Sequence, residues 1–211
     1  FVIPFFAFWR VITSREVDRQ DFNADTVDSI HPSLLHVLNV VKQGDLPLWN
    51  WHAYSGMYEG GAFYNHLLYP FSWLSVLGLF DLADAVTYNL YMIAHLGIGG
   101  AVFYLLSRVL HFPPFIAFIG SAMYALSFIA VYSLYIGNGM LIPFAWMPAV
   151  LLAYYLLAKS GCFKWAVIGC LLWTVCLVSL NPISIISLTM LLTFWIGLWA
   201  WRGHYEGWCI P

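Results

Sequence analysis

The chain has 211 residues, of which 62% are hydrophobic and only 9% charged, with a net charge of −2 and a mean hydropathy of +0.80. A soluble domain carries about 25% charged residues to hydrate its surface, so this composition excludes an ordinary water-soluble globule and reads as an integral membrane protein. The near-neutral charge offers no basic patch, which argues against a nucleic-acid partner.

Phe1 to Thr13 is apolar but shorter than the roughly 20 residues a crossing requires. It reads as the end of a truncated helix, in keeping with an opening Phe1-Val2-Ile3-Pro4 without Met. The chain stops at Cys209-Ile210-Pro211, just after a helical run, and is taken as part of a longer protein. Ser14 to His66 follows as a long polar loop. It holds three basic residues (Arg15, Arg19, Lys42) and seven acidic ones (Glu16, Asp18, Asp21, Asp25, Asp28, Asp45, Glu59).

Within this loop, Asp28 to Gln43 is expected to be an amphipathic helix. Ile30, Leu34, Leu38 and Val41 recur at helical spacing, and Leu35 and Val37 widen the stripe. Asp25 or Asp28 is placed to cap it, Pro32 is tolerated in the first turn, Gly44 belongs at the C-cap and Pro47 prevents the helix from resuming. Such a helix beside a membrane is expected to lie along the interface. Tyr69 to Phe80 is also apolar, and its dozen or so residues suit an interfacial or re-entrant helix.

Asp84 to Ser107, Pro114 to Ile136 and Met140 to Ala158 are near spanning length; Lys164 to Leu180 and Ile183 to Trp201 are somewhat shorter spans. About five transmembrane helices are therefore expected over residues 84–201, in a single transmembrane domain. Arg108, Lys159 with Lys164, and Arg202 fall in alternate connections, whereas Gly137-Asn138-Gly139 and Asn181-Pro182 are uncharged. The positive-inside rule places the basic turns in the cytoplasm and residues 14–66 on the external side. The expected fold is an all-α, multi-pass membrane protein with a long external loop. Gly97-Ile98-Gly99-Gly100-Ala101 marks close helix contact, within this protein before any oligomer. Cys170 and Cys176, in an apolar run, read as small buried hydrophobes. No cysteine pair has metal-ligand spacing, and His31 and His36, five apart, do not share a helix face well.

Several motifs carry a resemblance. Ala24-Asp25-Thr26-Val27-Asp28-Ser29-Ile30-His31-Pro32, then a helix, then Gly44-Asp45-Leu46-Pro47-Leu48-Trp49-Asn50, resembles the N-terminal external loop of the bacterial YfhO-like membrane proteins. Leu68-Tyr69-Pro70 with Phe63-Tyr64, the small-residue run Gly120 to Ser127, and Pro143-Phe144-Ala145-Trp146-Met147-Pro148 continue the likeness. Two segments depart from it: Ser55-Gly56-Met57-Tyr58 stands where a Gly-x-Pro element is usual, and Ser179 to Ile183 stands where a Gly-His-Pro-Gln-like turn is common.

The resemblance implies a fold related to GT-C glycosyltransferases of the bacterial cytoplasmic membrane. It also implies transfer of a sugar from a polyprenyl-phosphate donor at the external face. That chemistry needs a carboxylate at the acceptor hydroxyl and cations, donors or a divalent metal at the departing phosphate; no cofactor is selected. Asp25 matches the family's acidic position, and Asp28 lies one helical turn away. Arg15, Arg19, His31 and Lys42 are available to phosphate, Trp49 (with Trp51 and Tyr54) to a sugar ring, and Asn50 and Asn181 to the donor. Each has a plainer reading: helix capping for Asp25, an interfacial aromatic belt for the Trp residues, turn chemistry for Asn138 and Asn181. His95, inside an apolar run, is either functional or a neutral histidine bonded to a neighbouring helix. The non-enzymatic alternative is a GT-C-like structural subunit of a larger membrane complex, surrounded by lipid and other subunits.

Overall fold

The computed structural model describes residues 2–10, 31–51, 55–58, 69–82, 84–136, 141–178, 189–190 and 193. The described helices, in chain order, are α1 (Ile3–Ala7), α2 (His31–Lys42), a 3-10 turn (Pro70–Ser72) leading into α3 (Trp73–Val76), α4 (Ala85–Val109), α5 (Pro114–Ala125), α6 (Phe128–Ile136), α7 (Leu141–Ser160) and α8 (Phe163–Leu177). Between α2 and the 3-10 turn, β1 (Trp49–Asn50) pairs antiparallel with β2 (Met57–Tyr58), Trp49 opposite Tyr58 and Asn50 opposite Met57. This minimal hairpin is an addition to the all-helical expectation.

Among the described residues, three apolar stretches are long enough to cross a membrane: Val86–Val109, Pro114–Leu134 and Leu141–Ser160. The middle one is not a single helix. Its ladder breaks at Leu126–Ser127, where Leu126 closes α5 on Ala122 and the Ser127 hydroxyl, 3.4 Å from the Ala130 N–H, opens α6. The shorter α8, at 15 residues, extends about 22 Å at 1.5 Å per residue, and Ile183–Trp201 lies almost entirely outside the described residues.

Small residues set the helix spacing. A Cβ built on Gly99 would lie 3.1 Å from the Ala145 Cα of α7, and one on Gly100 would lie 3.1 Å from the Ala125 Cβ of α5. Ala117, Ser121 and Ala125, at intervals of four, form the buried edge of α5, while Phe115, Phe118 and Met123 point outward. The glycine-rich run therefore serves packing within this chain, as expected.

Pro148, inside α7, has no N–H to bond the carbonyl of Phe144 one turn earlier. The Tyr124 hydroxyl of α5 donates to that carbonyl at 2.6 Å, and the Tyr124 and Phe144 rings stack at 4.3 Å. A defect in one helix thus becomes a bond between two. Cys176 is buried against Val150, but Cys170 is exposed, contrary to the expectation that both are buried; six residues apart, they lie about 120° apart around α8.

Helix ends follow local chemistry. Gly44, at φ +88, closes α2 with paired bonds from Gly44 N–H to Val41 O and Asp45 N–H to Val40 O, the C-cap arrangement expected of it. The same pair of bonds closes α4 through His111, an L-residue held at φ +68, with the Arg108 guanidinium bonded to the Phe112 carbonyl at 2.8 Å.

Leu96, Leu141 and Ile142 share one core with Tyr88, Met92 and Ile93, which sets the start of α7 beside the middle of α4. Fourteen helical residues of α4 precede Gly99, but only four of α7 precede its neighbour Ala145. α4 therefore overhangs α7 by about ten residues, or roughly 15 Å. Leu34 and Leu38 of α2, Leu82, and the partly buried Phe5, Phe8, Val76 and Phe80 close around the overhang as a cap. The apolar stripe of α2 is turned onto protein: Leu34 and Val37 are 0% exposed.

Replacing Gly99 with Val sets a branched side chain against the α7 backbone. The variant is expected to lose about 1–3 kcal/mol of stability, the usual cost of overpacking, read as a lowered melting temperature in detergent.

Candidate functional site

The overhang of α4 and its junction with the start of α7 carry the buried polar side chains Asn89 and His95, with the phenols of Tyr88 and Tyr91. In the described residues they meet a second set from the cap, Tyr69, Ser72 and Ser75, all nearly or fully buried. The centre is a chain of hydrogen bonds whose direction is determined from one end. His95 Nδ1 lies 2.7 Å from the Tyr91 carbonyl of its own helix. A carbonyl only accepts, so Nδ1 carries the proton, and in the neutral ring Nε2 is the acceptor. The Tyr69 hydroxyl, 2.7 Å away, then donates to Nε2. The Trp146 indole N–H of α7 donates to the Tyr69 oxygen at 2.8 Å. Three donors and three acceptors are matched in series, tying α7, the cap and α4 together through one phenol.

Aromatic contacts surround the chain. The Tyr91 ring meets His95 edge-on at 4.7 Å, and Phe71 stacks on Trp146 at 5.9 Å. Ser72 makes a long contact, 3.5 Å, with the Tyr91 hydroxyl, and Ser75 accepts the Leu82 N–H at 3.4 Å. Burial raises the Tyr69 phenol above its ordinary range, with the Trp146 N–H opposing the shift, so Tyr69 acts as a neutral donor.

Asp84 stands at the exposed tip of the overhang. Its carboxylate accepts the Thr87 N–H and the Thr87 hydroxyl, each at 2.9 Å, as the N-cap of α4. These two bonds, the backbone one foremost, hold Asp84 below the usual carboxylate range.

Of the residues selected from sequence, Asp25, Asp28, Arg15, Arg19 and Asn181 lie outside the described residues. His31 opens α2, and Lys42 is exposed in its last turn. Trp49 is 46% exposed, packed over Gly56, with its ring 5.8 Å from that of Trp51, while Asn50 beside it is buried. Ser55 and Gly56, at φ +63 and +106, make the turn where the resemblance departs from its usual Gly-x-Pro. Among the described residues, no three His, Cys, Asp or Glu side chains group to hold a metal ion.

Sequence reasoning singled out His95 but not Tyr69 or Trp146 as its partners. The available signal was an uncharged polar residue at mid-helix, which demands a donor or acceptor without specifying which. No family model, curated protein or solved structure matches the chain.

Tyr69→Phe removes one hydroxyl but strands two groups, the Trp146 N–H and His95 Nε2. Each buried orphan costs about 1–3 kcal/mol, so a substantial fall in melting temperature is expected; an unchanged one would show that the chain of bonds carries no stability. For Asp84, the lowered folded value means stabilisation present above its ordinary value of 3.8 and lost as pH falls through the folded one. The melting-temperature gap between the native chain and Asp84→Ala should therefore close on acidification.

Proposed function

We propose that this chain belongs to a multi-pass bacterial membrane glycosyltransferase of GT-C type, similar to the YfhO-like proteins, that transfers a sugar from a polyprenyl-phosphate donor at the external face. The observation that supports this reading is the meeting of motifs distant in sequence. Tyr69 of Leu68-Tyr69-Pro70 bonds Trp146, and Tyr124 of Gly120–Ser127 bonds Phe144, both partners lying in Pro143–Pro148. Segments that carry the resemblance thus bond cap to bundle through Tyr69–Trp146 and join two bundle helices through Tyr124–Phe144.

In this reading the cap supports the loop that holds the donor head group. Asp25 accepts the proton of the acceptor hydroxyl or orients it, with Asp28 beside it, and Arg15, Arg19, His31 and Lys42 supply positive charge or N–H donors to the departing phosphate. Trp49 offers a partly exposed ring to the sugar, next to Asn50, and Asn181 is assigned to the donor. Lipid surrounds the helices.

The test is transfer from polyprenyl-phosphate sugars by the purified protein in liposomes. Loss of a general base costs about 10²–10⁴-fold in rate, and Asp25→Asn is expected to fall in that range with its melting temperature unchanged. Full activity in that variant would remove Asp25 from the mechanism. A native protein that transfers no sugar and co-purifies stoichiometrically with other membrane subunits would favour the structural-subunit reading.

A further inference from the structure

The stretch from Tyr69 to Phe80 is packed inside out. Its polar side chains face protein: Ser72 is 2% and Ser75 0% exposed, and the Tyr69 phenol is sealed within the hydrogen-bond chain. Val76 and Phe80 also pack inward, but four large apolar side chains face away: Phe71 and Trp73 are 40% and 43% exposed, Leu77 and Leu79 70% and 69%. No charged residue occurs between Tyr69 and Phe80. Against water this polarity is the wrong way round, because turning the leucines inward and the serines outward would bury apolar area and hydrate two hydroxyls. Neighbouring α2 has the opposite arrangement, with Leu34, Val37 and Leu38 buried and Lys42 and Gln43 exposed.

We propose that this outward face is embedded in the acyl chains of the leaflet on the side of the α4 N-terminus, so that the cap dips into the bilayer without crossing it. The proposal rests on the chain being a membrane protein, and three features favour lipid as the occupant. The face continues the wall of a long apolar helix, since Phe71 stacks on Trp146 of α7. It is anchored at the level of His95, ten residues inside α4, and so beside the start of α7 rather than at the far tip of the overhang. The element is also too short to leave on the opposite side: a 3-10 turn and one turn of α3 end at Gly78, whose φ of +74 turns the chain back toward the Asp84 cap of α4. Lipid meets the leucines, and the hydroxyls of Ser72, Ser75 and Tyr69 bond protein, as groups excluded from water must.

The test is site-directed spin labelling of the full chain in proteoliposomes, with Cys162, Cys170 and Cys209 changed to Ala and buried Cys176 retained. Labels are placed singly through Leu77→Cys, Leu79→Cys and, on the outward face of α5, Phe118→Cys. Collisions with oxygen, which partitions into lipid, are compared with those of a water-soluble nickel chelate. The expected result is a several-fold excess of oxygen over nickel at all three positions. Oxygen excess at position 118 with nickel access at 77 and 79 would overturn the proposal, because the face would then meet water. Shielding of 77 and 79 from both reagents, with oxygen excess at 118, would also overturn it in favour of a protein partner. Nickel access at 118 itself would overturn the membrane reading on which the proposal rests.

Discussion

Helix α4 is longer than the helices it packs against, and its N-terminal part is rich in groups that must be hydrogen-bonded wherever water is absent. Asn89 and His95 are among the most deeply buried polar side chains described, and the Tyr91 phenol lies beside them. An overhang of this kind is stable only if something both covers its apolar side chains and completes its hydrogen bonds. The cap does both. Leu34, Leu38 and Leu82 supply area, and Tyr69 supplies the hydroxyl that His95 requires. Because the same hydroxyl accepts from Trp146, the cap is fixed to two helices at once.

The bundle below is governed by the same requirement in a different form. For helices long and apolar enough to cross a membrane, lipid would give little reason to associate, and close approach and matched backbone groups would decide which faces meet. Gly99 and Gly100 permit the approach to α7 and α5. The carbonyl freed by Pro148 is matched by Tyr124, which makes the α5–α7 contact specific where apolar packing alone would be tolerant of sliding.

Much of this was legible in the sequence because it depends on short-range pattern. Length and hydropathy located the long helices, the Leu34–Leu38 spacing located α2, and a glycine before Pro47 located its end. The break at Leu126–Ser127 was not legible: no Gly or Pro marks it, and its one local signal is a serine hydroxyl at 3.4 Å from a backbone N–H. Nor was the joint at Tyr69, because its partners lie 26 and 77 residues away and any tyrosine in an aromatic-proline stretch would look alike. Asp25 and Asp28 followed from the family resemblance and lie outside the described residues, whereas Lys42, Trp49 and Asn50 fall on defined elements.

The two short amphipathic elements show why such limits are physical. A periodic stripe states that one face of a helix differs from the other; it does not state which face meets protein. For α2 the apolar side turns in, because a water-facing or headgroup-facing outer surface rewards Lys42 and Gln43. For the Tyr69–Phe80 stretch the polar side turns in, because its hydroxyls complete bonds that α4 and the cap backbone leave open. The sign of amphipathicity is set by the neighbour, and here that neighbour is the unsatisfied polar edge of an overlong helix. Where such an edge exists, a segment rich in Leu, Phe and Trp docks by its serines and a tyrosine along with Val76 and Phe80, and Phe71, Trp73, Leu77 and Leu79 remain facing outward.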